Sequence, residues 1–165
     1  MNSRTLFNIL SVVALLGVAA WLFVTYRVAP GLDLSKTTYT DLDGRPVDIT
    51  SFDGTPRVVN VWATWCGTCL TEMPKLHAAH EALGPEGLEV ICISDEPAAT
   101  VRAYADQAGY DFVYLLADDV EPLGVKSYPT TWILDERDEV VIRRAGSVLP
   151  FDDLRFQDKL RDKAL

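Results

Sequence analysis

The most constraining feature of this chain is a short β-branched run that leads into a pair of cysteines. Arg57-Val58-Val59-Asn60-Val61-Trp62 reads as a buried strand. Cys66-Gly67-Thr68-Cys69 then opens a stretch from Cys66 to Ala82 in which Leu70, Met73, Leu76 and Leu83 recur near helical spacing. A strand feeding a helix in this way places the first thiol against unpaired backbone N–H groups and the positive end of the helix dipole, which favour thiolate over thiol. Cys66 is therefore expected to be the attacking sulfur. Cys69, one turn further in, is expected to resolve the mixed disulfide that results.

A zinc site would need two more Cys or His ligands. The two histidines, His77 and His80, sit 8 and 11 residues beyond Cys69 on the same expected helix, roughly 12 to 16 Å along its axis. They cannot close a tetrahedral site with the pair, so no metal and no cofactor is expected. The third cysteine, Cys92, lies in the run Val90-Ile91-Cys92-Ile93 and is expected to be a buried small hydrophobe.

Around the pair the pattern alternates strand and helix. Tyr39–Asp43 and Pro46–Ile49 flank the turn Asp43-Gly44 and suggest a hairpin. Leu88–Ser94 is a second buried strand, and Ala98–Ala108 a helix capped near Asp95 and closed by Gly109. Phe112–Leu116, Thr130–Leu134 and Glu139–Arg143 are strand candidates, the last two joined by the turn Asp135–Asp138. Phe151–Lys163 is expected to be the C-terminal helix. Together these imply an α/β fold, with a central mixed β-sheet flanked by helices and an N-terminal β-hairpin extension.

The N-terminus is of a different kind. Leu6–Tyr26 is a run of 21 residues without a charge, roughly 31 Å as a helix, enough to cross a bilayer core. Its length exceeds the apolar region of a cleaved signal peptide, so an uncleaved anchor with the N-terminus inside is expected. No cysteine in or just after it supports a lipid anchor. The expected layout is a membrane anchor over residues 1–27, a linker over 28–38 and a globular domain over 39–165.

The chain of 165 residues carries a net charge of −9. Residues 1–32 hold two of its 15 Lys and Arg and none of its 24 Asp and Glu, so the remainder stands at −11. That sign argues against nucleic acid as a partner.

The segment Val58 to Cys69, followed by Glu72-Met73-Pro74, resembles the active site of the thioredoxin superfamily, and most closely its TlpA/ResA-like, membrane-anchored branch. Tyr128-Pro129-Thr130-Thr131-Trp132 resembles the family's second signature. The resemblance implies a thioredoxin fold, a cis-proline at Pro129, and a client contact surface at Trp65, Gly67, Thr68 and Tyr128. It also implies a proton-exchanging role for Glu72, which shares a helix face with Cys69 at i, i+3. Asn60 stands where cytoplasmic thioredoxins carry a buried aspartate, and an amide cannot titrate.

These features predict an extracytoplasmic thiol–disulfide oxidoreductase acting as a reductant, as in cytochrome c maturation. Its partners would be a disulfide-containing client protein, a membrane thiol–disulfide electron donor, and lipid along Leu6–Tyr26. The sequence leaves open the opposite direction, an oxidase or isomerase, and a non-catalytic redox-sensing module. A peroxidatic cysteine needs no partner three residues away, so the pair points away from peroxidase chemistry.

Overall fold

The computed structural model describes residues 3–27 and 31–165, with the side chains of residues 3, 6 and 24–27 outside the described set. Four helices, α1 (Ser3–Arg27), α2 (Gly67–Leu83), α3 (Ala98–Ala108) and α4 (Leu154–Lys163), accompany seven strands. The strands are β1 (Tyr39–Thr40), β2 (Pro46–Val47), β3 (Arg57–Val61), β4 (Glu89–Ser94), β5 (Val113–Ala117), β6 (Thr130–Leu134) and β7 (Val140–Ala145). They form one mixed sheet in the order β2-β1-β5-β4-β3-β6-β7. β3, β4 and β5 run parallel, as helical crossovers require, and β6, β7, β1 and β2 add antiparallel edges.

Both faces of β3 are covered, which is why Val58 and Val59 follow one another without an exposed polar residue between them. Val58 and Trp62 join Met73, Leu76 and Ala79 of α2, Val101 of α3 and Leu160 of α4 in one cluster. Val59 and Val61 face the opposite way, into a second cluster with Ile91, Ile93, Leu115 and Trp132. All five positions Val58, Val59, Val61, Trp62 and Ala63 are completely buried, and each large side chain among them contributes about 1.5–3 kcal/mol by leaving water. The second face is covered by 3-10 turns and loops, including Leu34 and Ile49, rather than by an α-helix. The segment expected as a linker thus folds into a turn at Leu34–Lys36, with Leu34 carbonyl accepting from the Tyr39 hydroxyl at 2.9 Å.

Several boundaries differ from expectation. The hairpin pairs only Tyr39–Thr40 with Pro46–Val47, because residues 49–52 turn into a 3-10 helix capped by Asp48. The buried face of α2 is Cys69, Glu72, Met73, Leu76, Ala79 and Leu83; Leu70 lies off it and is exposed. Asp95 does not cap α3, whose N-cap is Pro97 with no side-chain bond. Phe151 precedes α4 instead of starting it, since the Asp153 side chain accepts from Arg155 and Phe156 N–H and sets the helix start there.

The Leu6–Tyr26 run falls inside α1. Among the described residues no helix is long and apolar enough to cross a membrane. The unbroken stretch of α1 with described side chains, Phe7 to Phe23, spans only about 26 Å against a core of about 30 Å. The expected span needs Leu6 and residues 24–26, which lie outside it.

Candidate active site

The chain leaves β3 at Val61, passes through Ala63-Thr64-Trp65, and enters α2 with Cys66 as its N-cap. The Cys66 sulfur accepts the Cys69 backbone N–H at 3.1 Å, so it occupies the place of a capping oxygen and meets the free donors of the first turn. Cys66 and Cys69 form a disulfide with Cα atoms 5.2 Å apart. Cys66 is 7% exposed and Cys69 1%, so the first cysteine is the more accessible of the two. Gly67 and Thr68 between them are exposed.

Across from the pair, Tyr128–Pro129 is a cis peptide bond. The register that sets Val61 against Thr130 brings this loop to the end of β3 that leads into the cysteines. Trp65, 69% exposed, meets the Tyr128 ring edge-on with centroids 5.3 Å apart. An exposed indole beside a redox disulfide presents apolar area to an incoming chain.

Beneath the pair lies Glu72, 1% exposed, on the buried face of α2. Its Oε1 accepts the Leu149 N–H at 2.7 Å, and its Oε2 accepts Asn60 Nδ2 at 2.9 Å. Burial pushes its pKa up to about 7, with the two hydrogen bonds pulling the other way. That leaves the carboxyl close to half-ionised near neutrality, the condition under which a group can both take and return a proton.

Sequence reasoning missed the supports of this site. Asn60, read only as a residue unable to titrate, is the donor that holds Glu72. Glu96 grips the loop before the nucleophile, accepting Thr64 N–H at 2.6 Å and the Thr64 hydroxyl at 2.7 Å. Asp95 receives the Tyr128 hydroxyl at 3.4 Å. Leu149 acts through its backbone, which no side-chain pattern encodes, and Asp95-Glu96 lie 26 to 30 residues beyond the cysteines with nothing local to mark them.

Cys92 is fully buried on β4, and burial pushes its thiol well above the ordinary range, with the Glu72 charge adding to the effect. His77 stacks on Tyr110 with centroids 4.6 Å apart, and His80 meets Phe112 edge-on. Among the described residues no group of three or more His, Cys, Asp or Glu could hold a metal ion.

Residues 27–143, which include the strand, the cysteine pair, the helix and the cis-proline, match the AhpC/TSA family. The chain belongs to that family. Within it, the chain is similar to the thiol-disulfide oxidoreductase ResA of Bacillus thuringiensis subsp. konkukian, with 26% identity over 85% of this chain and 87% of the relative. Two solved structures share the fold. A thiol:disulfide interchange protein of the thioredoxin family from Chlorobium tepidum has a TM-score of 0.64 at 20% identity, over 83% of this chain and 97% of that one. A secreted Mycobacterium tuberculosis disulfide oxidoreductase homologous to Escherichia coli DsbE has a TM-score of 0.65 at 20% identity, over 77% and 96%. The mixed sheet with its helices is thus a thioredoxin-like fold. With the ResA relative and its Cys66–Cys69 pair, this member of the AhpC/TSA family is a thiol–disulfide oxidoreductase of the ResA kind.

Proposed function

We propose that this oxidoreductase is a membrane-tethered reductant of disulfides in extracytoplasmic client proteins, with cytochrome c maturation as a fitting context. Cys66 attacks the client disulfide, and Cys69 then attacks Cys66, closing the ring and releasing the client thiol. Trp65, Gly67, Thr68 and Tyr128 form the contact surface. The cis-Pro129 loop offers backbone edge to an extended client segment. Glu72 takes the proton that Cys69 must lose before it attacks.

The observation that carries the direction is the buried carboxylate one helical turn from Cys69. Its negative charge disfavours a neighbouring thiolate, and a dithiol whose reduced form gains little thiolate stabilisation gives up its electrons more readily. The tether rests on α1, whose apolar side chains stand in the open, with Phe7 70% and Leu15 69% exposed. Such a surface calls for an apolar surrounding, and we assign residues 1–27 to the membrane, 28–38 to the connection and 39–165 to the redox domain. A membrane dithiol donor then recharges the pair, and the tether keeps the pair near that donor.

Replacing Cys69 with Ser traps the first covalent step. A mixed disulfide between Cys66 and the client accumulates, and insulin reduction is lost; no trapped species together with unchanged insulin reduction overturns the exchange role. Equilibration of the intact protein with glutathione fixes the direction. A potential near −120 mV, as in strong oxidants, defeats the reductant reading, and one near −270 mV or below supports it. Membrane pellets washed with carbonate retain the full chain and release one lacking residues 1–27 if the tether is real.

A further inference from the structure

The Glu72 carboxylate is held by two donors of different kinds. Leu149 N–H is backbone and comes from the segment before α4, whereas Asn60 Nδ2 comes from β3 in the middle of the sheet. Asn60 is 1% exposed and spends its amide twice, on Glu72 Oε2 and on Thr131 Oγ1, both at 2.9 Å. Asn60 and Thr131 face each other across the β3–β6 ladder, and Thr131 lies two residues beyond cis-Pro129. One neutral side chain therefore joins the strand that leads to the nucleophile, the strand that leaves the cis-proline, and the carboxylate one turn from Cys69.

We propose that Asn60 is a positioning residue for the exchange reaction: tied back to Thr131, its amide fixes the Glu72 carboxylate as the base that serves Cys69. This rests on the reading of Glu72 given above. In the resolving step the Cys69 S–H proton passes to Glu72, the Cys66–Cys69 bond forms, the bond between Cys66 and the client sulfur breaks, and the client leaves as thiolate. A base for that step must be ionised before it acts, inside a cluster of Trp62, Met73, Leu76 and Cys92 that penalises charge. Asn60 lowers that penalty by donating to the ionised form and cannot accept the proton itself. An aspartate in its place would set a second carboxylate against Glu72, and the two would share one proton. The other groups facing Glu72 do not substitute for Asn60. Cys92, from β4, is held protonated by burial, and Leu149 contributes only its N–H.

The resolving step is isolated by treating the reduced full-length protein with dithiobis(nitrobenzoate), which caps Cys66; release of the second nitrothiobenzoate then reports the Cys69 attack. Its rate in the native protein rises with pH through an inflection near the Glu72 titration. Glu72→Gln removes that inflection. Asn60→Leu keeps it but moves it up by about one to two pH units, which slows the step about five- to fiftyfold at pH 7. Thr131→Val leaves the donor but unties it from β6, and moves the inflection the same way by less.

The two readings fail differently. An unchanged profile in Glu72→Gln overturns the base reading and this proposal with it. If Glu72→Gln abolishes the inflection while Asn60→Leu, folded as judged by its circular dichroism, leaves it in place, Asn60 has no positioning role and the base reading stands. Should Asn60→Leu fail to fold, Thr131→Val decides: a shifted inflection upholds the proposal, and an unshifted one overturns it.

Discussion

Among the described residues two charged side chains are buried, Arg57 at 3% exposure and Glu72 at 1%, and they are treated in opposite ways. Arg57, at the start of β3, is surrounded by counter-charge and carbonyls. It meets Asp138 at 2.6 Å, Asp53 at 3.4 Å, and the carbonyls of Phe52 and Thr55, each at 3.0 Å. Its hydrogen bond, with the Gly54 N–H and its charge adding, holds the Asp138 carboxyl below the usual range. Glu72, near the other end of the sheet, receives two neutral donors only, and burial lifts it to about 7. Burial alone does not mark a working group. A buried charge closed by opposite charges is fixed in one state, whereas one held by dipoles is left near its titration point.

The largest effect expected from this contrast is on stability. Asp138→Ala leaves the Arg57 guanidinium buried with its closest carboxylate gone, and also strips the Gly54 N–H of its acceptor. The expected cost is about 3 kcal/mol, on the order of 10 °C in Tm, since the buried guanidinium loses its closest counter-charge and keeps only the longer contact to Asp53 and two carbonyls. The resolving-step rate should not move. In the native protein the Asp138 contribution is present above the ordinary carboxylate range and is lost as pH falls through its depressed folded value. A thermal midpoint within 2 °C of native in Asp138→Ala would mean that the cluster at Arg57 is ornamental.

Glu72 carries the opposite sign. Its folded pKa is raised from 4.5 to about 7, so between those values the folded state binds the extra proton and stability falls as pH rises. The full penalty, about 3 kcal/mol, is reached above pH 7. Glu72→Gln removes the titration, and a glutamine can still accept one of the two bonds. Its unfolding free energy should be flat from pH 5 to 8, and at pH 8 the variant should be about 2 kcal/mol more stable than the native protein. Urea melts across that range check it. A native curve as flat as the variant's would show that Glu72 is no poised acid.

Much of this contrast was legible beforehand, but unevenly. The strand, the cysteine pair and the helix were readable because both faces of β3 are apolar and because a Cys-x-x-Cys at a helix start has one clear electrostatic consequence. Glu72 was singled out by the family resemblance, and its i, i+3 spacing set it on the Cys69 face of the helix, where the structure buries it. Its partners were not: Asn60 is 12 residues away on another element, and Leu149 is 77 away and acts through its backbone. Arg57 was placed in the expected buried strand without a partner, because Asp138 reaches it only through the positive-φ turn between β6 and β7. The helix ends slipped for a similar reason. Asp95 looked like a cap for α3 but turns to Tyr128, and Asp153, two residues beyond the expected helix start at Phe151, is the residue whose side chain takes the free N–H groups. Local pattern specifies which residues are apolar or charged, while long-range pairing decides which charges are closed and which are left poised.

A surface contact supplies the lower end of the scale. The Tyr128 hydroxyl lies 3.4 Å from both oxygens of Asp95, long for a hydrogen bond and open to solvent. Burial of the ring, and then the Asp95 charge, push the phenol up to about 12, so it remains a donor throughout the working range. Tyr128→Phe deletes that donor and keeps the ring against Trp65 and the residue before cis-Pro129. Because water solvates both partners in either state, the expected loss is below about 0.5 kcal/mol. Insulin reduction should stay within about twofold of native and the midpoint within about 2 °C. A loss as large as that of Asp138→Ala would break the comparison at its root, since an exposed, weakly held carboxylate would then count as much as one closed on a buried cation. A small loss sharpens it: what separates Arg57 from Glu72 is then how each buried charge is answered, and wet polar contacts around the disulfide serve recognition rather than stability.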